Sequence, residues 1–313
     1  MNHLTNNPGN LALPQAVHRP TAATGHHQWL TRLADYWTLT KPEVNFLVLV
    51  STLVGFDLAS PGHLNGILLF HTLLGTLLVA SGTGTLNQYI ERRSDAVMRR
   101  TAHRPLPAGR LAASEALIFG LLLAIAGGLE LWLAANPLTS ALALLTLATY
   151  LLFYTPLKRR TPLCTVVGAF PGAMPPLIGW AAVRNGLSFE AWVLYGILFC
   201  WQFPHLLAIA WMYREDYARA GLQLLPRNDH EGRATWKQIL GYTLALVPIS
   251  LIPAFQGNAG TVYLVGAGIC GLLFLICGIR WAASRTNALA RQLLMASIVY
   301  LPLVFALLML DKH

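Results

Sequence analysis

Runs of roughly 18 to 24 apolar residues recur along this chain, each long enough as a helix to cross a hydrocarbon core about 30 Å thick. Nine are predicted, at about 43–60, 66–90, 113–134, 138–156, 163–183, 189–212, 236–255, 260–281 and 288–310. Backbone polar groups in lipid have to be satisfied within a helix or a closed barrel, and these runs are far longer than barrel strands of about ten residues. The composition agrees: 55% of the 313 residues are hydrophobic and only 11% charged, where a soluble domain carries about 25% charged residues. The expected fold is an all-α polytopic membrane protein, with the lipid bilayer as its surroundings.

Charge fixes the sidedness. A formal net charge of +9 raises the question of nucleic acid, but the basic residues are dispersed through short loops between spans, and no nucleic-acid partner is expected. With the amino terminus inside, all of the 22 Lys and Arg residues except Arg184 and Lys312 fall on one side. That is the positive-inside pattern of a cytoplasmic or matrix face, and an even number of spans would destroy it. Residues 1–40, rich in Gly, Pro, Asn, His and Thr and without a signal-peptide pattern, read as a disordered cytoplasmic tail before a nine-helix domain at 41–313. Arg19 and Arg32 are too few for an Arg-rich transit peptide, which favours a bacterial inner membrane over the mitochondrial alternative. The four cysteines (164, 200, 270, 277) are scattered through apolar segments and read as small core residues.

Three polar loops face the basic side. The first contains Asn87, Glu91 and Asp95 at i, i+4 and i+8. If the helix continues that far, their oxygens stack on one face with about 6 Å between neighbours, a row suited to a hard divalent cation such as Mg²⁺. Arg92, Arg93, Arg99, Arg100, Arg104 and Arg110 lie close by, and acids plus arginines at a membrane surface read as a diphosphate site. The competing reading is an ordinary basic loop with acids for local pairing. The second loop runs from Tyr154 through Lys158 and Arg159 to Pro162, and the third follows span six with Tyr213, Arg214, Glu215, Asp216 and Tyr217. Span five, with Pro171, Gly172, Pro175, Pro176 and Gly179, is expected to be kinked and packed inside the bundle. Spans seven to nine read as bundle-completing helices. His71 reads as structural. His205, at membrane depth amid Trp201, Phe203 and Trp211, has to face a cavity or a partner; a packing histidine is the competing reading.

The string from Asn87 to Thr101 with Arg104-Pro105-Leu106-Pro107 resembles the first polar motif of the UbiA superfamily of intramembrane prenyltransferases, in the form carried by its haem-modifying branch. Tyr154-Thr-Pro-Leu-Lys158-Arg159 is similar to the middle loop, Gly179-Trp180 to the close of the fifth helix, and Trp201-Gln-Phe-Pro-His205 with Glu215-Asp216-Tyr217 to the second acidic region. The likeness extends from about residue 38 to the ninth span. Relative to the superfamily's general Asp-rich motifs, Gln88 and Glu91 replace two aspartates, and Tyr213 and Tyr217 stand where quinone-type members carry an Asp pair.

The resemblance implies a nine-helix bundle around a central cavity, farnesyl diphosphate and haem B as substrates, and a product, haem O, carrying the farnesyl group plus water. It implies Mg²⁺ on Asn87, Glu91, Asp95 and Asp216, with Lys158 and Arg159 assisting diphosphate departure. Arg92, Arg99, Arg100, Arg104, Tyr154, Trp201, Tyr213, Arg214 and Glu215 become substrate-binding candidates, with Phe203 a further chamber-wall candidate. His205 is expected to touch substrate, as iron ligand, water-positioning group or propionate contact. Haem A synthase is an implied partner. Two rivals remain: a haem carrier using His205 as axial ligand, which leaves the acidic row unexplained, and an aromatic prenyltransferase, which predicts Asp at 88, 213 or 217.

Overall fold

Among residues 25–226 and 229–312, which the computed structural model describes, nine helical segments are long and apolar enough to cross a membrane. They are α2 (Pro42–Ala59), α3 (Gly66–Asp95), α4 (Ala113–Ala134), α5 (Pro137–Leu157), the broken span α6 (Cys164–Gly172) and α7 (Pro175–Arg184), α8 (Phe189–Met212), α10 (Arg233–Phe255), α11 (Thr261–Ser284) and α12 (Asn287–Leu310). A surface helix, α1 (Gly25–Thr40), precedes them, and the short α9 (Arg214–Arg219) follows α8. The expected bundle of nine spans is the observed one. Exposed Phe70, Leu122, Leu133, Leu272 and Val299 give it an apolar outer surface, as lipid requires.

The broken span and α8 occupy the middle of the bundle: 67% of each apolar window is buried, against 28–39% for the others. Glycine makes this possible. A Cβ at Gly179 would stand 1.9 Å from the Thr52 carbonyl oxygen, and one at Gly55 would stand 2.0 Å from that of Pro176, so α2 and α7 cross backbone to backbone. Gly75 and Gly127 do the same for α3 and α4. The chain breaks between Gly172 and Pro175, where Pro175 and Pro176 start the next helix as they cannot continue the last.

Two sequence readings change here. The predicted second span stops at 90, whereas α3 continues to Asp95, carrying Glu91 and Asp95 as a helical extension beyond the apolar run. The disordered reading of 1–40 fails for its last part, because Gly25–Thr40 is helical; residues 1–24 lie outside the described residues. The apolar signal of α1 is split between two faces. Leu39 and Asp35 turn inward, while Trp29, Leu30, Leu33 and Trp37 stay exposed, a face suited to the headgroup boundary. Arg110 clamps Asp35 from Nε and Nη2, tying α1 to the loop after α3.

The opposite end of the bundle is simpler. Arg184 donates from Nε to the Ala59 carbonyl at 2.6 Å, and Lys312 reaches the carbonyl and carboxylate of Asp57. Both beside the end of α2, they flank a cavity of about 830 Å³ that also meets Trp180 and Glu190. His71 pairs with Glu130 at 2.6 Å, a structural role as expected. Cys164 and Cys200 are buried, and all four cysteines are free thiols.

Candidate active site

The acidic row of α3 sits at the end of the bundle where the three polar loops meet. Asn87 and Asp95 are each 1% exposed and Gln88 likewise, a degree of burial that polar groups tolerate only with partners. Each member of the row has one. Lys41 Nζ donates to Asn87 Oδ1 at 2.7 Å, Lys158 Nζ to Glu91 Oε1 at 2.9 Å, and Arg104 Nη1 to Asp95 Oδ2 at 2.8 Å. Asp216, on α9, is held by Arg219 one turn later and accepts from the backbone N–H of Arg100.

Local structure explains how these groups arrive. The last part of α5 opens into a π turn over Tyr150–Tyr154 immediately before Pro156, whose ring displaces the carbonyl four residues back. The Thr155 hydroxyl donates to the Tyr150 carbonyl and therefore accepts from Asn87 Nδ2, which orients the Asn87 oxygen toward Lys41. Lys158 emerges beyond the turn with its ammonium 4.4 Å from the Tyr154 ring centroid. Burial opposes its charge, but the Tyr154 and Glu91 side chains outweigh that and hold its pKa well above the ordinary lysine value. Arg159 reaches the Ser94 hydroxyl. The third loop closes on the second: Gln223 donates its backbone N–H to the Lys158 carbonyl and its amide to that of Arg159.

Not every candidate reaches this cluster. Arg92 folds back onto the Tyr89 carbonyl and ring. Arg99 and Glu215 are exposed. Arg214 bonds the Trp211 carbonyl and Asn287 on α12, so it braces two spans. Tyr213 lies under the Arg100 guanidinium, 5.4 Å from ring centroid to Cζ. Trp201 donates to the Ser297 carbonyl inside the bundle, and Phe203 is fully buried and stacked on Tyr242. His205 stacks on Trp201 and its Nδ1 lies 2.8 Å from Ser297 Oγ.

Three contributors escaped sequence reasoning. Lys41, the one cation of the Thr-Lys-Pro-Glu turn into the first span, is in the cluster, where burial and then the nearby Arg104 push its pKa down to about 7. Its position directly before a helix-starting proline was the available signal. Gln88 donates to the Thr38 and Leu39 carbonyls, which an aspartate could not do, and so anchors α1. Thr155 orients Asn87.

The donor set fits a hard cation in kind: buried, all oxygen, and two carboxylates plus an amide on one helix face. It does not form a complete shell. Among the described residues no three His, Cys, Asp or Glu side chains converge; each acid is paired with its own cation. Mg²⁺ is ordinarily held by one or two carboxylates, with substrate phosphates supplying the rest.

The fold and the site define a polytopic intramembrane enzyme of prenyl-diphosphate type, and the comparisons give it a family. The model of the UbiA prenyltransferase family matches residues 48–306, and the chain belongs to that family. It is 52% identical over 289 residues to the protoheme IX farnesyltransferase of Solibacter usitatus, covering 90% of this chain and 99% of the relative. The protoheme IX farnesyltransferase of Koribacter versatilis is 44% identical, with 96% and 97% covered. A solved digeranylgeranylglyceryl phosphate synthase shares the fold at TM-score 0.74 and 16% identity, covering 90% of this chain and 98% of that one. A UbiA homolog from Archaeoglobus fulgidus, bound to GPP and Mg²⁺, does so at TM-score 0.62 and 16% identity, covering 88% and 99%.

Proposed function

We propose that this prenyltransferase moves the farnesyl group of farnesyl diphosphate onto a vinyl group of haem B, with addition of water, to make haem O. The observation that carries the reading is the 52% identity to a protoheme IX farnesyltransferase over 99% of that relative's length. Mg²⁺ is supported by the GPP and Mg²⁺ bound to a protein of the same fold. The charge asymmetry supports an acidic row on the cytoplasmic or matrix face, a bacterial inner membrane is the reading favoured over the mitochondrial one, and haem A synthase is the natural recipient of the product.

In this reading Asn87, Glu91, Asp95 and Asp216 offer the oxygens for Mg²⁺, which would neutralise the diphosphate as it leaves. Lys158, Arg159, Arg100 and Arg104 supply the remaining positive charge where negative charge grows on the departing oxygen. The farnesyl carbon that loses the diphosphate is attacked by the vinyl π electrons, and water adds to the carbon next to the porphyrin, releasing a proton. The apolar interior of the bundle keeps bulk water from the allylic centre until then. His205 acts on the porphyrin side, deeper in the bundle than the diphosphate.

The test is product mass. Membranes containing the protein, given haem B, farnesyl diphosphate and Mg²⁺, are expected to yield a porphyrin heavier by the farnesyl group plus water. Haem returned unmodified would favour the carrier reading, and an aromatic acceptor prenylated in its place would favour the other.

A further inference from the structure

Lys41 is held in an unusual way. It connects α1 to α2 with φ 56° and ψ 60°, a left-handed conformation uncommon for a residue with a side chain and costly to maintain. Pro42 follows directly and disfavours helical backbone before it. Two features over-determine the turn: Gln88 binds the carbonyls of residues 38 and 39, and Asn45 donates to the carbonyl of Thr40. The result is one ammonium delivered to Asn87 Oδ1 at 2.7 Å. That oxygen is the first donor of the acidic row. A metal ion bound there at about 2.0–2.1 Å and an ammonium at hydrogen-bond distance would be adjacent cations, so the two exclude one another.

We propose that Lys41 is a placeholder cation: its ammonium holds the Asn87 oxygen until a divalent metal arrives with the diphosphate, then turns to the diphosphate oxygens. The inference rests on the metal–diphosphate reading given above and adds a residue and an order to it. The three acids are arranged alike, Glu91 with Lys158, Asp95 with Arg104 and Asp216 with Arg219. A metal ion alone has to displace cations that then have no counter-charge, and a diphosphate alone has to draw those cations off their acids. Supplied together, each ligand satisfies what the other displaces. Metal and diphosphate therefore bind with strong positive coupling, and Lys41 is one of the groups that creates it.

The experiment measures Mn²⁺ affinity of the purified full-length protein by electron paramagnetic resonance, with and without a non-hydrolysable farnesyl thiolodiphosphate. Wild type is expected to bind Mn²⁺ more tightly with the analogue by a factor within the usual range for coupled sites, about 5- to 150-fold. Lys41→Asn is the variant of choice, because asparagine tolerates the left-handed backbone while removing the ammonium. It should bind Mn²⁺ alone several-fold more tightly and the analogue more weakly, so that the coupling factor falls; a residue that merely holds the turn would not move the two affinities in opposite directions. Lys41→Arg, which keeps a cation, should retain most of the coupling. An unchanged coupling factor in Lys41→Asn overturns the placeholder role while leaving the metal–diphosphate site standing. Failure of wild type to bind Mn²⁺ even with the analogue overturns both.

Discussion

Lys158 and Glu91 form an ion pair across the join between two spans, Nζ to Oε1 at 2.9 Å with the side chains 10% and 13% exposed. Removing one partner of such a pair leaves a buried charge without compensation, a loss of about 3–5 kcal/mol. Glu91→Ala and Lys158→Ala are each expected to lower the melting temperature in detergent and to abolish turnover. Replacing both at once by apolar residues of similar volume should restore much of the stability and none of the activity, and a double variant as unstable as the singles would contradict the pairing. The pH dependence has a definite sign. Because the folded pKa of Lys158 lies well above 10.5, its contribution is complete below the unfolded lysine value and is lost only as pH rises through the folded one. Stability from this pair should therefore not decline between neutral pH and about pH 10, the region below the unfolded lysine pKa.

The crossing of α2 and α7 predicts a strong position effect among glycines. Gly179→Ala puts a methyl group 1.9 Å from the Thr52 carbonyl oxygen, and the helices have to separate, at a cost of about 1–3 kcal/mol or more. Gly268→Ala meets open space and should be neutral or gain slightly from helix propensity. Thermal melting of the two purified variants checks this; equal behaviour would mean that the crossing is not tight.

The bundle is legible in the sequence because lipid imposes one rule on every span, and the division of charge between its two ends is legible because the exceptions, Arg184 and Lys312, are so few. The acidic row is legible because helix periodicity converts i, i+4, i+8 into a face. What could not be read is long-range pairing. Nothing local says that Lys41 meets Asn87 from 46 residues away, or that Arg214 meets Asn287 from 73 residues away. Trp201 and Phe203 are read as chamber-wall candidates because aromatic residues near a site suit a carbocation, while their burial equally suits a packed core. The surface helix α1 escaped because its exposed face is as apolar and aromatic as its inner one.

The diphosphate side and the porphyrin side should separate by mutation. Asp95→Ala and Asp216→Ala are expected to abolish turnover while haem binding stays within a few-fold of wild type, since the proposed function puts metal and diphosphate at the polar-loop end and the porphyrin deeper in the bundle. Asn87→Ala removes a neutral ligand, and high Mg²⁺ should partly rescue it. Haem titration alongside steady-state rates distinguishes the cases, and equal loss of haem affinity in the two aspartate variants would point to a carrier.

His205 sits in a short hydrogen-bond chain, and this turns its role into a sharp test. With its hydroxyl donated to the Leu294 carbonyl at 2.6 Å, Ser297 Oγ accepts from His205, an arrangement that assigns the proton of the neutral imidazole to Nδ1. Nε2 is left with a lone pair and no hydrogen-bond partner among the described residues, the arrangement of a histidine whose far nitrogen is fixed so that the near one can bind iron or water. The ring stacks on Trp201, whose indole donates to the backbone carbonyl of the same Ser297, so one residue of α12 sets both position and protonation. Along α8 the imidazole lies about 12 Å of helix rise from Tyr213, deeper in the bundle than the cluster of acids and cations, on what is the porphyrin side in the proposed reaction. His205→Ala should change the absorption spectrum of bound haem if Nε2 ligates iron, or slow formation of the hydroxylated product if it positions water. Ser297→Ala should reproduce the same change in weaker form, about 10-fold in affinity or rate, because it frees the tautomer without removing the ring. A purified His205→Ala protein with unaltered haem spectrum and unaltered turnover would show that the imidazole serves packing alone.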